Sequence, residues 1–172
     1  LQITQLCADL NILVDGRALD DDGNVLLKFN NGAAGVLMAS QVAAGEENAL
    51  RIRVYGEKGG IEWAQQEPNT LLLKLLDQPV QILRAGANYP GLSSYAKNSC
   101  RTPGGHPEGY LEAFANTYRN FAQTLSAKID GTEPSKEALD FPGVEDGIRG
   151  MAFIDNVVAS SQSDKKWFEH KV

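Results

Sequence analysis

The sequence is poor in the residues and runs that mark several large classes of protein. It has only two cysteines, Cys7 and Cys100, and they stand at neither a metal-ligand nor a CxxC spacing. We expect two free thiols in a reducing cytosol. No run of about 18 apolar residues and no signal-peptide pattern is present. The sequence therefore predicts a cytoplasmic protein with neither a membrane span nor a secretory leader.

Positive charge is also scarce. The 172 residues include 16 Lys and Arg against 22 Asp and Glu, which gives a formal net charge of −6. Nucleic-acid binding needs clustered basic residues, and this sequence has no such cluster, so nucleic acid is excluded as a partner. The acidic residues are dispersed and indicate no particular partner. The hydrophobic fraction of 42% is ordinary for one globular domain with its own core.

Motifs for the common catalytic chemistries are missing. No GxGxxG lies between a strand and a helix, so no dinucleotide site is predicted within the chain. HExxH, Walker A and GxSxG motifs are absent, and neither histidine, His106 or His170, has an acidic partner at metal-ligand spacing. The chain also opens at Leu1 inside a strand-like pattern without an initiator Met. We interpret it as part of a longer protein.

The first half of the sequence has the alternation of half-buried strands. Val25, Leu27 and Phe29 fall on one face, and the following Asn31-Gly32 is a strong hairpin signal. Strands are predicted around residues 1–10, 25–29, 35–42, 50–55, 61–63, 71–76 and 80–83. Because the connections between them are short, antiparallel pairing is favoured.

The second half has helical periodicity. One helix is predicted from Gly109 to Asp130-Gly131, with Pro107 and Glu108 in its first turn. Its apolar row consists of Tyr110, Phe114, Tyr118, Phe121 and Leu125. A second helix follows residues 141–143, with its apolar row at Val144, Ile148, Met151, Ile154 and Val158, and a final strand is expected at Trp167 and Phe168. The order predicts an α+β fold: a large, mostly antiparallel sheet with helices packed on one face, whose other face needs cover.

The segment between the two halves is the candidate functional region. Residues 85–108 are rich in Gly, Pro, Ser and Asn, and a loop of that length is uncommon unless it has a function. It ends in a Gly-rich segment that places His106 beside a predicted helix N-terminus. Free helix amides and an imidazole together suit a hydroxyl-rich ligand. Alternatively, His106 merely caps the helix while Glu108 complements its dipole.

Five segments, in order, resemble the C-terminal domain of the glucose–fructose oxidoreductase/inositol dehydrogenase (Gfo/Idh/MocA) family. They are Asp22 to Gly35, Leu50 to Trp63, Glu67 to Leu71, Gly104 to Ala115, and Phe141 to Gly147. The resemblance implies that residues 1–172 form a substrate-binding and oligomerisation domain, with a sheet face used for contact between copies. It also implies a sugar, inositol or related polyol as substrate, and NAD or NADP held by a separate N-terminal Rossmann domain that this sequence lacks.

On this resemblance His106 is the leading substrate-binding candidate, and Glu108, Tyr110 and Trp63 are weaker ones. Trp63 either stacks on a sugar ring or belongs to the core. The family's catalytic Glu-Lys-Pro motif is absent from the sequence. Its Asp-x-x-x-His motif is absent as well, since Thr102 and Lys166, and not Asp, stand four residues before the two histidines. We therefore expect this chain alone to bind no cofactor and to be inactive. The alternatives are a catalytically silent oligomerisation or regulatory paralogue, and a stand-alone sugar-binding module.

Overall fold

The computed structural model describes residues 1–172 and divides them into two compact units. The first unit consists of Leu1–Glu47 and Pro142–Val172, and the second of Asn48–Phe141. The first contains β1 (Ile3–Asn11), β2 (Asp22–Phe29), β3 (Ala34–Ser40), α3 (Val144–Ser161) and β8 (Phe168–Glu169). The second contains β4 (Arg51–Gly56), β5 (Gly59–Ala64), β6 (Thr70–Leu75), β7 (Gln81–Arg84), α1 (Ser94–Ser99) and α2 (Tyr110–Ile129).

The first unit is an antiparallel sheet in the order β3-β2-β1-β8, with α3 packed against β1. The predicted β2–β3 hairpin is present, and Gly32 in its turn has a positive φ of 84° that a residue with a side chain rarely adopts. Alternation along β2 puts Val25 and Leu27 into the core with Leu6 and Val157. Val36 and Met38 of β3 lie on the opposite, exposed face.

Helix α3 also completes the hydrogen bonding of β1. The Ser160 hydroxyl accepts a hydrogen bond from the Ala8 amide at 3.1 Å, and the Ser161 hydroxyl accepts one from the Leu10 amide at 3.0 Å. The short strand β8 pairs with β1 only at Gln5 and Leu6, so these two amides lie beyond its reach. Serines near the end of α3 thus satisfy strand amides that would otherwise lack a partner.

The second unit holds the other antiparallel sheet, in the order β4-β5-β6-β7. The α+β class is confirmed, and all strand pairs are antiparallel as predicted. The sequence predicted one large sheet, whereas the strands divide into two sheets of four. Helix α1 was not predicted. It begins where the Ser93 hydroxyl accepts a hydrogen bond from the Ala96 amide, inside the segment expected to be a loop.

Helix α2 turns a row of polar side chains towards the protein and a row of apolar side chains towards solvent. Asn120 is only 2% exposed; its amide group donates to the Asp140 carbonyl, and its oxygen accepts from Arg119. One turn away on either side, Asn116 donates to the Ser99 carbonyl and Thr124 to the Ala138 carbonyl. The apolar row, which the sequence assigns to packing on the sheet, is solvent-exposed at Tyr110, Phe114, Tyr118, Phe121 and Leu125. The end of α1 and the segment that follows α2 therefore hold α2 by hydrogen bonds.

Candidate functional site

The β5–β6 turn and the segment before α2, which are far apart in sequence, meet in the second unit. The Asn69 side-chain oxygen accepts a hydrogen bond from the Glu108 amide at 3.0 Å. A Cβ on Gly109 would lie 3.6 Å from the ring of Pro68, so the turn packs directly beside the start of α2. These residues belong to two of the five segments that carry the family resemblance. No sequence pattern indicates a role for Asn69, although Asn69 lies within the segment Glu67 to Leu71.

Glu108 is the most highly connected side chain of this region. It is 8% exposed, and its two carboxylate oxygens accept hydrogen bonds from the Arg101 amide at 2.8 and 3.1 Å. The Thr102 amide and the Thr102 hydroxyl each lie 3.1 Å from Oε2. The Arg101 guanidinium adds an ion pair at 3.6 Å. The oxygens of Glu108 are thus occupied by its own loop, which favours a structural role over direct contact with a ligand.

The electrostatics of Glu108 agree with its contacts. Burial by itself raises the pKa of a carboxyl, but here the hydrogen bonds from Arg101 and Thr102, with the Arg101 charge, outweigh it and lower the pKa of Glu108 below its ordinary value. The group is therefore a carboxylate at neutral pH. An ionised acceptor makes the stronger, charge-assisted kind of hydrogen bond to the backbone.

His106 is held by its backbone and exposes its ring. Its amide donates to the Pro103 carbonyl at 3.2 Å, and its carbonyl accepts from the Thr102 hydroxyl at 2.9 Å. Its imidazole makes no hydrogen bond within the chain. The alternative in which His106 caps α2 is not what the structure has. The helix begins at Tyr110, its N-cap is Gly109, and the Glu112 carboxylate accepts from the Gly109 amide at 2.8 Å.

The helix start also corrects a boundary. Pro107 and Glu108 precede α2 and do not form its first turn. Tyr110, the first helical residue, is exposed, and its ring lies 4.9 Å from that of Phe114. Trp63 is half-buried at the end of β5, where its indole N–H donates to the Pro68 carbonyl at 2.9 Å. Trp63 thereby fixes the same turn that supplies Asn69.

The preceding part of the loop is tied to the His106 segment. The Asn88 side chain accepts a hydrogen bond from the Gly104 amide at 2.8 Å, and the Ala87 amide donates to the Thr102 carbonyl at 2.8 Å. The ring of Tyr89 lies so close to Gly104 that a side chain at this position would have to displace the ring. Asn88 and Tyr89 were not predicted, and only their place in the Gly-rich segment gave a signal.

The residues of this chain do not form the usual binding site of a nicotinamide dinucleotide. Such a cofactor binds at the carboxyl ends of parallel strands, against a helix N-terminus with free amides. Both sheets are antiparallel throughout. The two long helices also begin against carboxylates, because Glu112 accepts from the Gly109 amide and Asp146 from the Gly143 amide. Those acids oppose a phosphate. No group of three or more His, Cys, Asp or Glu side chains is arranged to hold a metal ion.

A separate cavity of about 360 Å³ lies in the first unit, between the sheet and α3. Its apolar lining includes Leu10, Val25 and Phe153, and residues 20–23 border it. The Asp21 carboxylate is not available to a ligand, since it accepts hydrogen bonds from the amides of Leu13 and Val14 at 2.8 and 3.1 Å. The cavity contains none of the predicted site residues. The second-unit cluster around His106 is therefore the candidate site.

Comparison with known proteins identifies the family and the fold. Residues 3–169 match the oxidoreductase family described as the C-terminal alpha/beta domain of the Gfo/Idh/MocA proteins. The chain belongs to this family. The uncharacterized oxidoreductase YfiI of Bacillus subtilis (strain 168) is 35% identical over 172 residues, which are 99% of this chain and 43% of that protein.

Two solved structures extend the family assignment. An oxidoreductase from Sinorhizobium meliloti is 42% identical with a TM-score of 0.88, over 96% of this chain and 46% of that one. An inositol dehydrogenase homolog from Azotobacter vinelandii, solved with NADH and myo-inositol, is 31% identical with a TM-score of 0.87, over 98% and 44% of the two chains. This chain thus spans less than half the length of these relatives.

The cysteines and the helices bear on two further expectations. Cys7 and Cys100 are both free and half-buried. No helix in the structure has the length and apolar character needed to span a bilayer.

Proposed function

We propose that this chain is the C-terminal, substrate-side domain of an NAD(P)-dependent oxidoreductase that acts on a sugar, inositol or related polyol in the cytoplasm. A separate N-terminal Rossmann domain of the longer protein, called the parent protein below, would hold the dinucleotide. The observation that carries the proposal is the cluster in which Asn69, Glu108 and Thr102 fix the backbone around an exposed His106 imidazole without using its ring.

The roles proposed for the dinucleotide and for the residues of this chain follow from the chemistry of each group. When bound, the dinucleotide accepts or supplies the hydride. The His106 ring can both donate and accept a hydrogen bond, which suits a substrate hydroxyl. The exposed Tyr110 is a second candidate, and Trp63 contributes by holding the neighbouring turn. The groups of this chain orient a polyol, and the proton-transferring Lys and His of the family are expected elsewhere in the parent protein.

The direct test of this proposal is an activity screen of the parent protein. Purified parent protein is incubated with NAD or NADP and with myo-inositol and a panel of aldoses and polyols, and the reduced dinucleotide is followed by absorbance. We expect turnover with at least one polyol. Dinucleotide binding without any turnover would support the catalytically silent paralogue instead. A natural chain that begins near Leu1 and binds sugar would support the stand-alone sugar-binding module.

We further propose that the domain forms homo-oligomers through the exposed sheet face of the first unit. Val36 and Met38 are 74% and 67% exposed on adjacent outward positions of β3, and Leu26 lies across from Val36 on β2. A cross-strand apolar patch of this kind marks an interaction surface. The sheet face offers the same patch on each copy, as a two-fold contact requires.

Sedimentation velocity of the isolated chain tests this contact. The protein is used at about 100 µM, a concentration at which weak-to-moderate interfaces are populated. We expect a dimer or larger species that Val36→Glu, by placing a charge in the interface, shifts to monomer. Leu76→Glu is the matched control, because Leu76 is 82% exposed and lies outside the first unit. A strict monomer, or equal dissociation by both variants, would contradict the proposal.

A further inference from the structure

The Glu108 carboxylate occupies a place that the loop has built for an anion. Two successive backbone amides, from Arg101 and Thr102, point at it, and the Thr102 hydroxyl and the Arg101 guanidinium complete the set of donors. Concavities of successive amides bind anions in many proteins. Here the anion is a side chain of the same chain, only 8% exposed. The loop's conformation therefore depends on a negative charge at this point.

We propose that Glu108 is a positioning residue for His106, acting through Thr102. The inference rests on the proposed function, since it assigns to Glu108 the orientation of a group that binds substrate. The Thr102 hydroxyl lies 3.1 Å from Glu108 Oε2 and 2.9 Å from the His106 carbonyl oxygen, so its single hydrogen is shared between the two acceptors. The carboxylate and the backbone of His106 are thus joined through one hydroxyl.

Both sides of this link are anchored. The Glu108 amide donates to Asn69 on the β5–β6 turn. The Arg101 guanidinium also donates to the side chain of Asn116 on α2. His106 lies within the short segment between these anchors, and the amide of His106 donates to Pro103 in the same segment. The Glu108 carboxylate therefore links Arg101 and Thr102, which precede His106, to the residues that follow it. When its charge is lost, this link weakens and the His106 ring is no longer held in one position.

The key variant is Glu108→Gln in the parent protein, with myo-inositol as the probe substrate. The amide group of Gln keeps the shape but presents N–H groups to donors, so part of the hydrogen-bond set cannot form. We expect KM for myo-inositol to rise roughly tenfold to a hundredfold, kcat to change less, and dinucleotide affinity to stay within about twofold.

Glu112→Gln is the matched control. Glu112 lies one turn away and is also an acid at the start of α2, but its carboxylate accepts hydrogen bonds from the backbone amides of Gly109 and of Glu112 itself. It makes no hydrogen bond to the 101–106 segment and interacts there with Arg101 only through charge. We expect its KM to stay within about twofold of the parent value. Thr102→Val, which removes the linking hydroxyl and keeps the Glu108 charge, should raise KM by about threefold to tenfold. This second variant keeps the inference testable if Glu108→Gln folds poorly.

Chemical rescue separates a positioning role from a general loss of structure. Glu108→Ala empties the anion site and should also raise KM. Acetate at millimolar concentration should lower this raised KM part of the way to the parent value, whereas chloride at equal ionic strength should not. His106→Ala should not respond to acetate. Absence of rescue together with an unchanged KM in Glu108→Gln and Thr102→Val would overturn the inference. An equal KM rise in Glu112→Gln would also overturn it.

A readout independent of activity distinguishes this inference from the proposed function. The imidazole signal of His106, identified by its loss in His106→Ala, is followed by NMR in the labelled parent protein. We expect Glu108→Gln to shift or broaden the signal and Glu112→Gln to leave it in place. If the signal responds in this way but no polyol is turned over, the positioning role stands and the proposed function fails. A signal unmoved by Glu108→Gln contradicts the positioning role whatever the enzyme does.

Discussion

The isolated chain is expected to bind neither NAD nor NADP and to oxidise no polyol, whereas the parent protein is expected to bind a dinucleotide and to oxidise a polyol. The chain has no strand–glycine turn–helix unit, its strand pairs are all antiparallel, and its long helices begin against Glu112 and Asp146. A pyrophosphate would have to displace these carboxylates from helix amides, against their charge. The Glu-Lys-Pro and Asp-x-x-x-His motifs, to which the family resemblance assigns proton transfer, are also missing from the sequence.

Calorimetric titration of both proteins with NAD and with NADP measures this difference. We expect no heat of binding for the isolated chain and a saturable binding curve for the parent protein. Binding to the parent protein serves as the control that each dinucleotide stock is able to bind. A dissociation constant in the micromolar range for the isolated chain would contradict the assignment of cofactor binding to another domain.

Much of the fold could be predicted because local pattern and packing agree in the first unit. Val25 and Leu27 alternate with exposed residues and do enter the core, and Gly32 supplies the positive φ that the hairpin needs. Val157, in the predicted second helix, completes the same core. Where one face of a strand or helix is buried against the other, the two-residue and 3.6-residue periods determine the element and its orientation together.

The second unit was harder to predict because its elements are held by polar contacts. The apolar row of α2 indicated the buried face, yet the buried residue is Asn120, which satisfies backbone carbonyl and guanidinium groups of neighbouring segments. Tyr118 of the apolar row is 72% exposed. Periodicity reports which face is apolar, and it does not report whether the partner of that face lies in the same chain. Helix α1, only six residues long, has no periodicity to detect.

For the candidate site, the sequence indicated the segment but not the roles of its residues. Residue order placed His106 near a helix start, which the structure confirms to within four positions, since α2 begins at Tyr110. The sequence predicts Glu108 as a weaker substrate ligand or as a partner of the helix dipole, and in the structure its oxygens accept hydrogen bonds from Arg101 and Thr102. Such contacts within a loop depend on backbone conformation that has no repeating sequence signal. The substrate-binding role of His106 stays a prediction.

Replacement of His106 by Ala in the parent protein is expected to lower kcat/KM for the polyol roughly threefold to a hundredfold. A lost neutral hydrogen bond costs about 0.5–1.5 kcal/mol, and more if the substrate hydroxyl is left without a partner. The dinucleotide dissociation constant should not change. The melting temperature should change little, because the imidazole makes no hydrogen bond within the chain and the α2 cap is made by Glu112.

His170→Ala is the matched control for this substitution. His170 belongs to the first unit, where its ring lies edge-on to Phe153 at 6.4 Å between centroids, so its loss should affect stability and spare the kinetics. The central claim, that the His106 loop binds the substrate, is tested most directly by kcat/KM and dinucleotide affinity measured side by side on the parent protein and these two variants. The predicted result is a fall in kcat/KM that is confined to His106→Ala, with unchanged dinucleotide affinity. A kcat/KM for His106→Ala within about twofold of the parent value would contradict the claim.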